Sequence, residues 1–179
     1  MNTKIKIIYL LPFILFLSIL LIFFLKFEKV NKNIINDVIK SPLIGKEIPN
    51  LNILKIKKNK SINFSKYKNK IFAINFFASW CIPCKVEAPL LNTLSNKIDI
   101  IGISYKDDKT EMIEFLERYG NPYSEIGIDK KGSIAIEWGV YGVPETFIIS
   151  DNGKILYKHT GPINYDALNN KILPLVKIK

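Results

Sequence analysis

The chain has 179 residues, 48% of them apolar, which bounds it to one ordinary globular domain with something further at an end. A formal net charge of +10 invites a nucleic-acid or anionic-membrane reading, but Arg118 is the only arginine among 26 basic residues. The lysines are dispersed, and the densest group, Lys55-Ile56-Lys57-Lys58-Asn59-Lys60, is interleaved with Asn and Ile rather than with stacking aromatics, so it reads as a solvated loop and no nucleic-acid partner is expected.

Ile7 to Leu25 is a charge-free run of 19 residues, interrupted only by Tyr9, Pro12 and Ser18. At about 1.5 Å per residue it is long enough to cross a bilayer core of about 30 Å. It ends in Phe23-Phe24-Leu25-Lys26-Phe27-Glu28 without an A-x-A pattern, which favours an uncleaved signal anchor over a cleaved signal peptide. Lys4 and Lys6 flank it on one side and Lys26, Lys29, Lys32 and Lys40 on the other, so the positive-inside count does not decide orientation. A short cytoplasmic tail (1–6), an anchor (7–25) and an exported remainder form the simpler arrangement, and a dithiol site on a tether suits an oxidising compartment. Residues 26–44 read as a linker, and the prolines and glycine of Ser41-Pro42-Leu43-Ile44-Gly45-Lys46-Glu47-Ile48-Pro49 mark entry to a domain over 45–179.

Within that domain, Leu51 to Ile56 alternates weakly as an edge strand. Ile71-Phe72-Ala73-Ile74-Asn75-Phe76-Phe77-Ala78 is a buried strand that leads into Trp80-Cys81-Ile82-Pro83-Cys84-Lys85, which holds the only two cysteines. A helix follows from Pro83 to about Ser95, with Val86, Leu90, Leu91 and Leu94 at core-facing spacing and a kink expected at Pro89.

A strand that delivers a C-x-x-C pair to a helix start is the pattern of a thioredoxin-type redox centre. With Cys81 at the helix N-cap, unpaired backbone N–H groups and the positive helix end favour its thiolate, the attacking species. Cys84, about one turn in, would attack the mixed disulfide, and Pro83 fixes the backbone between them.

Other uses of the pair fit less well. A loop this short makes a poor structural staple, because closing it removes only about 2 kcal/mol of unfolded-state entropy. Structural zinc wants four ligands, and the sole histidine, His159, lies far along the chain with no second cysteine pair. Two thiolates can hold copper(I), so a copper-binding module is the non-enzymatic alternative. A hydrolase nucleophile needs a neighbouring histidine base, for which His159 alone is a weak candidate.

Ile98 to Ser104 is the next strand, and its end places Tyr105-Lys106-Asp107-Asp108-Lys109 on a loop, where open α/β sheets meet ligands. Thr110 to Tyr119 reads as an amphipathic helix closed by Gly120. A short strand at Ile126–Ile128 and a short helix from Ile134 to Trp138 follow. Pro144 precedes the strand Glu145-Thr146-Phe147-Ile148-Ile149, where a cis bond would be a deliberate feature. Asp151-Asn152-Gly153 turns the chain into a strand from Lys154 to His159, and a last helix from Tyr165 to about Ile172 covers the sheet. His159 is expected to be an ordinary exposed strand-end residue, and Trp80 to pack over the active-site surface.

Trp80-Cys81-Ile82-Pro83-Cys84-Lys85-Val86-Glu87, Ile101-Gly102-Ile103-Ser104-Tyr105-Lys106-Asp107-Asp108, Gly120-Asn121-Pro122-Tyr123, Val140-Tyr141-Gly142-Val143-Pro144-Glu145-Thr146-Phe147 and Tyr157-Lys158-His159-Thr160-Gly161 together resemble the thioredoxin superfamily. More narrowly they resemble the membrane-tethered DsbE/CcmG thiol:disulfide interchange proteins of cytochrome c maturation. The resemblance runs from about Gly45 to the C-terminus. It implies an α/β thioredoxin-like fold, a mixed central sheet flanked by helices, behind one N-terminal transmembrane helix.

In function it implies a protein-disulfide reductase of the bacterial inner membrane, facing the periplasm. Such a protein acts on the haem-attachment cysteines of apocytochrome c, or on a haem-ligation partner, and is recharged by a membrane electron-donor thiol protein. No cofactor is implied. On matching positions Cys81 is the exposed nucleophile, Cys84 the resolving thiol and Pro144 a cis-proline that, with Val143 and Trp80, meets the substrate.

Glu87 and Glu145 match acidic residues around the family's site. A carboxylate there would raise the Cys81 pKa, and either could serve Cys84 as a base through water; solvated surface charge is an equal alternative for Glu87 and a lesser one for Glu145, which lies beside the expected site. General thioredoxins carry a buried Asp six residues before the first cysteine, where this chain has Asn75, which cannot take a proton. A general disulfide reductase on the same fold is the enzymatic alternative. Peroxiredoxin chemistry is not indicated, because Ile74 and Ala78 stand where its Pro and Thr belong.

Overall fold

A computed structural model of the protein describes residues 11–26, 41–49, 62 and 64–176. The expected tail 1–6, the first four residues of the expected anchor, the linker over 27–40, the edge strand at Leu51–Ile56 and the lysine-rich loop lie outside the described residues. The chain divides into two units, Met1–Lys40 and Ser41–Lys179. In the first, residues 11–26 form helix α1, exposed along its length. Among the described residues no helix is long and apolar enough to cross a membrane.

In the second unit a 3-10 turn (Phe64–Tyr67) leads to β1 (Phe72–Phe77), α2 (Ile82–Ser95), β2 (Asp99–Tyr105), α3 (Lys109–Tyr119), β3 (Glu125–Asp129), α4 (Ser133–Glu137), β4 (Glu145–Ile149) and β5 (Ile155–Thr160). A π-helical stretch, Ala167–Ile172, then runs into α5, Leu173–Val176. The strands form one sheet in the order β3-β2-β1-β4-β5. β1, β2 and β3 are parallel, and β4 runs antiparallel to both β1 and β5. This is the thioredoxin-like α/β arrangement that the sequence implies.

β1 is buried over its whole length, and strand alternation divides it between two cores. Ala73 and Phe77 face a cluster with Cys84, Leu91 and Leu94 of α2 and Leu168 and Ile172 of the C-terminal helix. Phe72, Ile74 and Phe76 face the opposite cluster, with Trp138, Phe147 and Ile155. Asn75 of β1 and Thr146 of β4 are polar, fully buried and cross-strand partners.

Helix α2 differs from its expected register. Its inward stripe is Cys84, Glu87, Ala88, Leu91 and Leu94, while Val86 is exposed. The stripe keeps the i, i+3, i+4, i+7 spacing of a core-facing helix, but with a carboxylate in it. Pro89 falls on the exposed side, and the helix runs through it to Ser95.

Candidate active site

β1 hands the chain to Ala78-Ser79-Trp80, which sets Cys81 at the N-cap of α2. Cys81 and Cys84 are joined in a disulfide. The Cys84 N–H donates to Cys81 Sγ at 3.1 Å, and Pro83 occupies the first turn, where a missing N–H removes no helical bond. On reduction the same donor and the helix end favour a thiolate at Cys81. The turn is braced from outside, because the Ser79 N–H and hydroxyl both donate to the Asp107 carboxylate, at 2.7 and 2.6 Å. Trp80 stays exposed beside the disulfide, its ring tilted against Tyr105 and its Nε1–H donating to the Lys106 carbonyl at 3.3 Å.

The Val143–Pro144 peptide is cis, and the Val143 carbonyl oxygen lies 3.4 Å from Cys81 Sγ. This loop covers the sulfur. Cys81 is 3% exposed and Cys84 2%, so the expectation of an exposed nucleophile is corrected for the disulfide form.

Neither glutamate is surface charge; Glu87 is 0% and Glu145 1% exposed. They lie in different surroundings. Glu87 follows Cys84 by one turn on the inward face of α2, where residues at this spacing stand about 5–6 Å apart at Cβ. One of its oxygens accepts the Ile163 N–H at 2.9 Å and the other the Asn75 amide at 3.0 Å. Burial pushes its carboxyl up to about 7 against the pull of those two hydrogen bonds.

The Asn75 amide group also donates to Thr146 Oγ1 at 3.0 Å, and its carbonyl accepts the Tyr123 hydroxyl at 2.8 Å. Tyr123 reaches Asn75 across Gly102. A Cβ there would stand 2.8 Å from the Tyr123 ring and 2.9 Å from that of Phe77, against which Tyr123 stacks. Burial, with the Glu87 charge adding to it, raises the Tyr123 pKa, so the phenol is the donor and the amide orientation follows. Tyr123→Phe leaves the Asn75 carbonyl buried without a partner. The expected loss is about 1–3 kcal/mol of unfolding free energy, read as a lower urea midpoint at an unchanged slope.

Glu145 lies in the other core. Its Oε2 is 2.8 Å from Lys158 Nζ, a pair 1% and 5% exposed at the side chains, and its Oε1 accepts the Tyr141 N–H at 3.2 Å. His159 is half-buried rather than exposed: Tyr157 Oη lies 3.3 Å from Nδ1, the Pro162 carbonyl lies 3.2 Å from Nε2, and burial lowers its pKa.

Among known proteins, residues 43–172 match the Redoxin family. The chain is 34% identical to the thiol:disulfide interchange protein DsbE of Haemophilus influenzae, with 93% of each chain covered. The chain belongs to the DsbE family. The DsbE homologue of Paracoccus denitrificans is 34% identical, over 77% of this chain and 78% of its own length. The thiol:disulfide interchange protein CycY of Rhizobium leguminosarum is 43% identical over 62% of this chain; the match spans 60% of that relative. A solved thiol-disulfide oxidoreductase from Bacteroides fragilis superposes with a TM-score of 0.60 at 25% identity, covering 73% of this chain and 99% of its own. As a DsbE-family redoxin with a C-x-x-C disulfide at a helix start, the protein is a thiol:disulfide oxidoreductase.

Tyr123, Thr146 and Lys158 were not singled out in the sequence as site residues. Only the Asn75 substitution hinted at a polar partner on another element.

Proposed function

We propose that this DsbE-family protein is a membrane-tethered reductant of the haem-attachment cysteines of apocytochrome c, acting directly or through a haem-ligation partner on the periplasmic face of the inner membrane. The 19-residue run Ile7 to Leu25 is its single-pass anchor, and a membrane thiol protein restores its dithiol. The observation that carries this reading is the buried Asn75–Glu87 pair below the disulfide, a specialised arrangement where a general thioredoxin has one Asp.

In the reduced protein the Cys81 thiolate attacks one sulfur of the substrate disulfide. A mixed disulfide forms and the first substrate thiolate leaves. Cys84 then loses its proton to Glu87, directly or through one water, and attacks Cys81 Sγ. The Cys81–Cys84 bond forms, the second substrate thiolate leaves, and two electrons have passed to the substrate. Val143 and Pro144 receive the substrate backbone and Trp80 its flank. Glu145 is paired with the Lys158 ammonium on the face of β4 that carries Phe147, away from the cluster that holds Cys84, and is not the base.

The test is a trap. With Cys84→Ala in cells, Cys81 attacks but nothing resolves the adduct. Recovery of apocytochrome c or a haem-ligation partner in disulfide linkage is the expected result. A broad mixture of exported proteins would mean a general disulfide reductase, and no adduct would overturn the exchange role.

A further inference from the structure

Lys158 is buried on β5, and the redox step as described gives it no task. Its Nζ meets four groups. The Glu145 carboxylate lies at 2.8 Å and the Gly139 carbonyl accepts at 2.6 Å, while the ring centroids of Tyr141 and Phe147 lie at 4.9 and 5.3 Å. Phe147 is its cross-strand partner. The other three belong to the segment from Gly139 to Glu145, which contains the cis Val143–Pro144 peptide.

That segment is held at both ends. The Val140 N–H donates to Ala135 of α4 at 2.8 Å, and the Pro144 carbonyl accepts the Gly161 N–H at 3.0 Å. Its course is further set by the Gly139 carbonyl on Lys158, just before the first of these ends, and by the Tyr141 N–H on Glu145, which is itself paired with Lys158. The far side of the segment touches Cys81 Sγ through the Val143 carbonyl. Tyr141 is 81% exposed, so its ring lies on the buried ammonium and still presents surface to solvent.

We propose that Lys158 is a positioning residue for protein substrates: it fixes the Gly139–Pro144 segment and the exposed Tyr141 ring against the disulfide, and so acts on docking of an extended chain rather than on sulfur chemistry. This rests on the exchange reading above, with Val143 and Pro144 as the receiving backbone. An ammonium is suited to the task. It pairs by charge with a carboxylate while donating to a carbonyl, and the same charge draws an aromatic face, which no neutral side chain of that length does.

The experiment compares a protein disulfide, insulin, with a small one, bis(2-hydroxyethyl) disulfide, using the full chain in detergent with dithiothreitol as the electron donor that restores the dithiol after each turnover. Lys158→Met is expected to raise KM for insulin about tenfold with kcat within about twofold, while the rate with the small disulfide changes less than about threefold. Tyr141→Ala, at an exposed position, is expected to raise KM in the same direction and to add little on top of Lys158→Met. Should Lys158→Met fail to fold, Lys158→Met/Glu145→Gln, which leaves no unpaired buried charge, carries the same expectation, with circular dichroism to confirm folding. An unchanged KM for insulin, an equal loss with both disulfides, or independent effects of the Lys158 and Tyr141 changes would overturn the proposal. Wild-type protein inert toward both disulfides and toward a peptide carrying an oxidised C-x-x-C-H pair would instead overturn the exchange reading itself.

Discussion

Cys81→Ser is expected to abolish turnover, lowering disulfide reduction by about four orders of magnitude or more, whereas Cys84→Ser should still react once and stall as a mixed disulfide. The asymmetry follows from the helix start. Cys81 is the N-cap and its sulfur already accepts the Cys84 N–H, so negative charge gained on reduction is met by a donor and by the positive helix end. Cys84 lies one turn in, on the face with Glu87, Leu91 and Leu94, where an anion is poorly solvated until Cys81 is engaged. In the reduced protein, iodoacetamide should alkylate Cys81 first, with a midpoint below the value of about 8.5 for a free thiol. Preferential labelling of Cys84, or exchange surviving in Cys81→Ser, would reverse the roles.

Glu87→Gln should change how stability depends on pH. Folding raises this carboxyl from the usual 4.5 to about 7. Below about pH 4.5 the group is neutral in both states and contributes no pH dependence. Between there and about 7 the folded protein keeps a proton that the unfolded chain has released, so unfolding free energy falls as pH rises and levels off once the folded group ionises. The span corresponds to about 3 kcal/mol, lost by the wild type but not by the Gln variant, as urea titrations at several pH values would show. In the exchange mechanism proposed above, the same substitution also removes the proton acceptor for Cys84. Resolution of the mixed disulfide should slow by about a hundredfold and lose its inflection near pH 7. Parallel stability curves for the two proteins would rule out a buried, proton-binding Glu87.

Much of this was legible because the strands are apolar runs broken by turn residues. β1, β2 and β4 carry Phe or Ile on both faces, and the two cysteines sit just past the end of β1. The buried polar groups were less legible, for two physical reasons. On α2 the apolar residues alone trace a stripe that takes in Val86 and omits Glu87, although Cys84, Ala88 and Leu91 define the true face. On β5 a simple alternation fails. Ile149 pairs with Ile155 and Ile148 with Tyr157, so Leu156 is an extra residue and Lys158 comes to share a face with Ile155 three positions away. A lysine on an edge strand reads as solvent-facing unless the bulge is known. Tyr123 was hidden differently, since its partner Asn75 lies 48 residues away and only the fold joins them.

The same edge governs how the domain can be cut. The start of β5 is covered by the segment entering the domain: the Gly45 N–H donates to the Ile155 carbonyl, the Ile155 N–H to the Lys46 carbonyl, and Glu47 bridges Lys154. A recombinant fragment begun at Ser41 keeps this cover. One begun beyond Ile48 strips it, leaving unpaired backbone donors and acceptors on an outer strand as a template for intermolecular sheet growth. Inclusion bodies from the shorter fragment would then report a bare strand, not a failure of the redox centre to assemble.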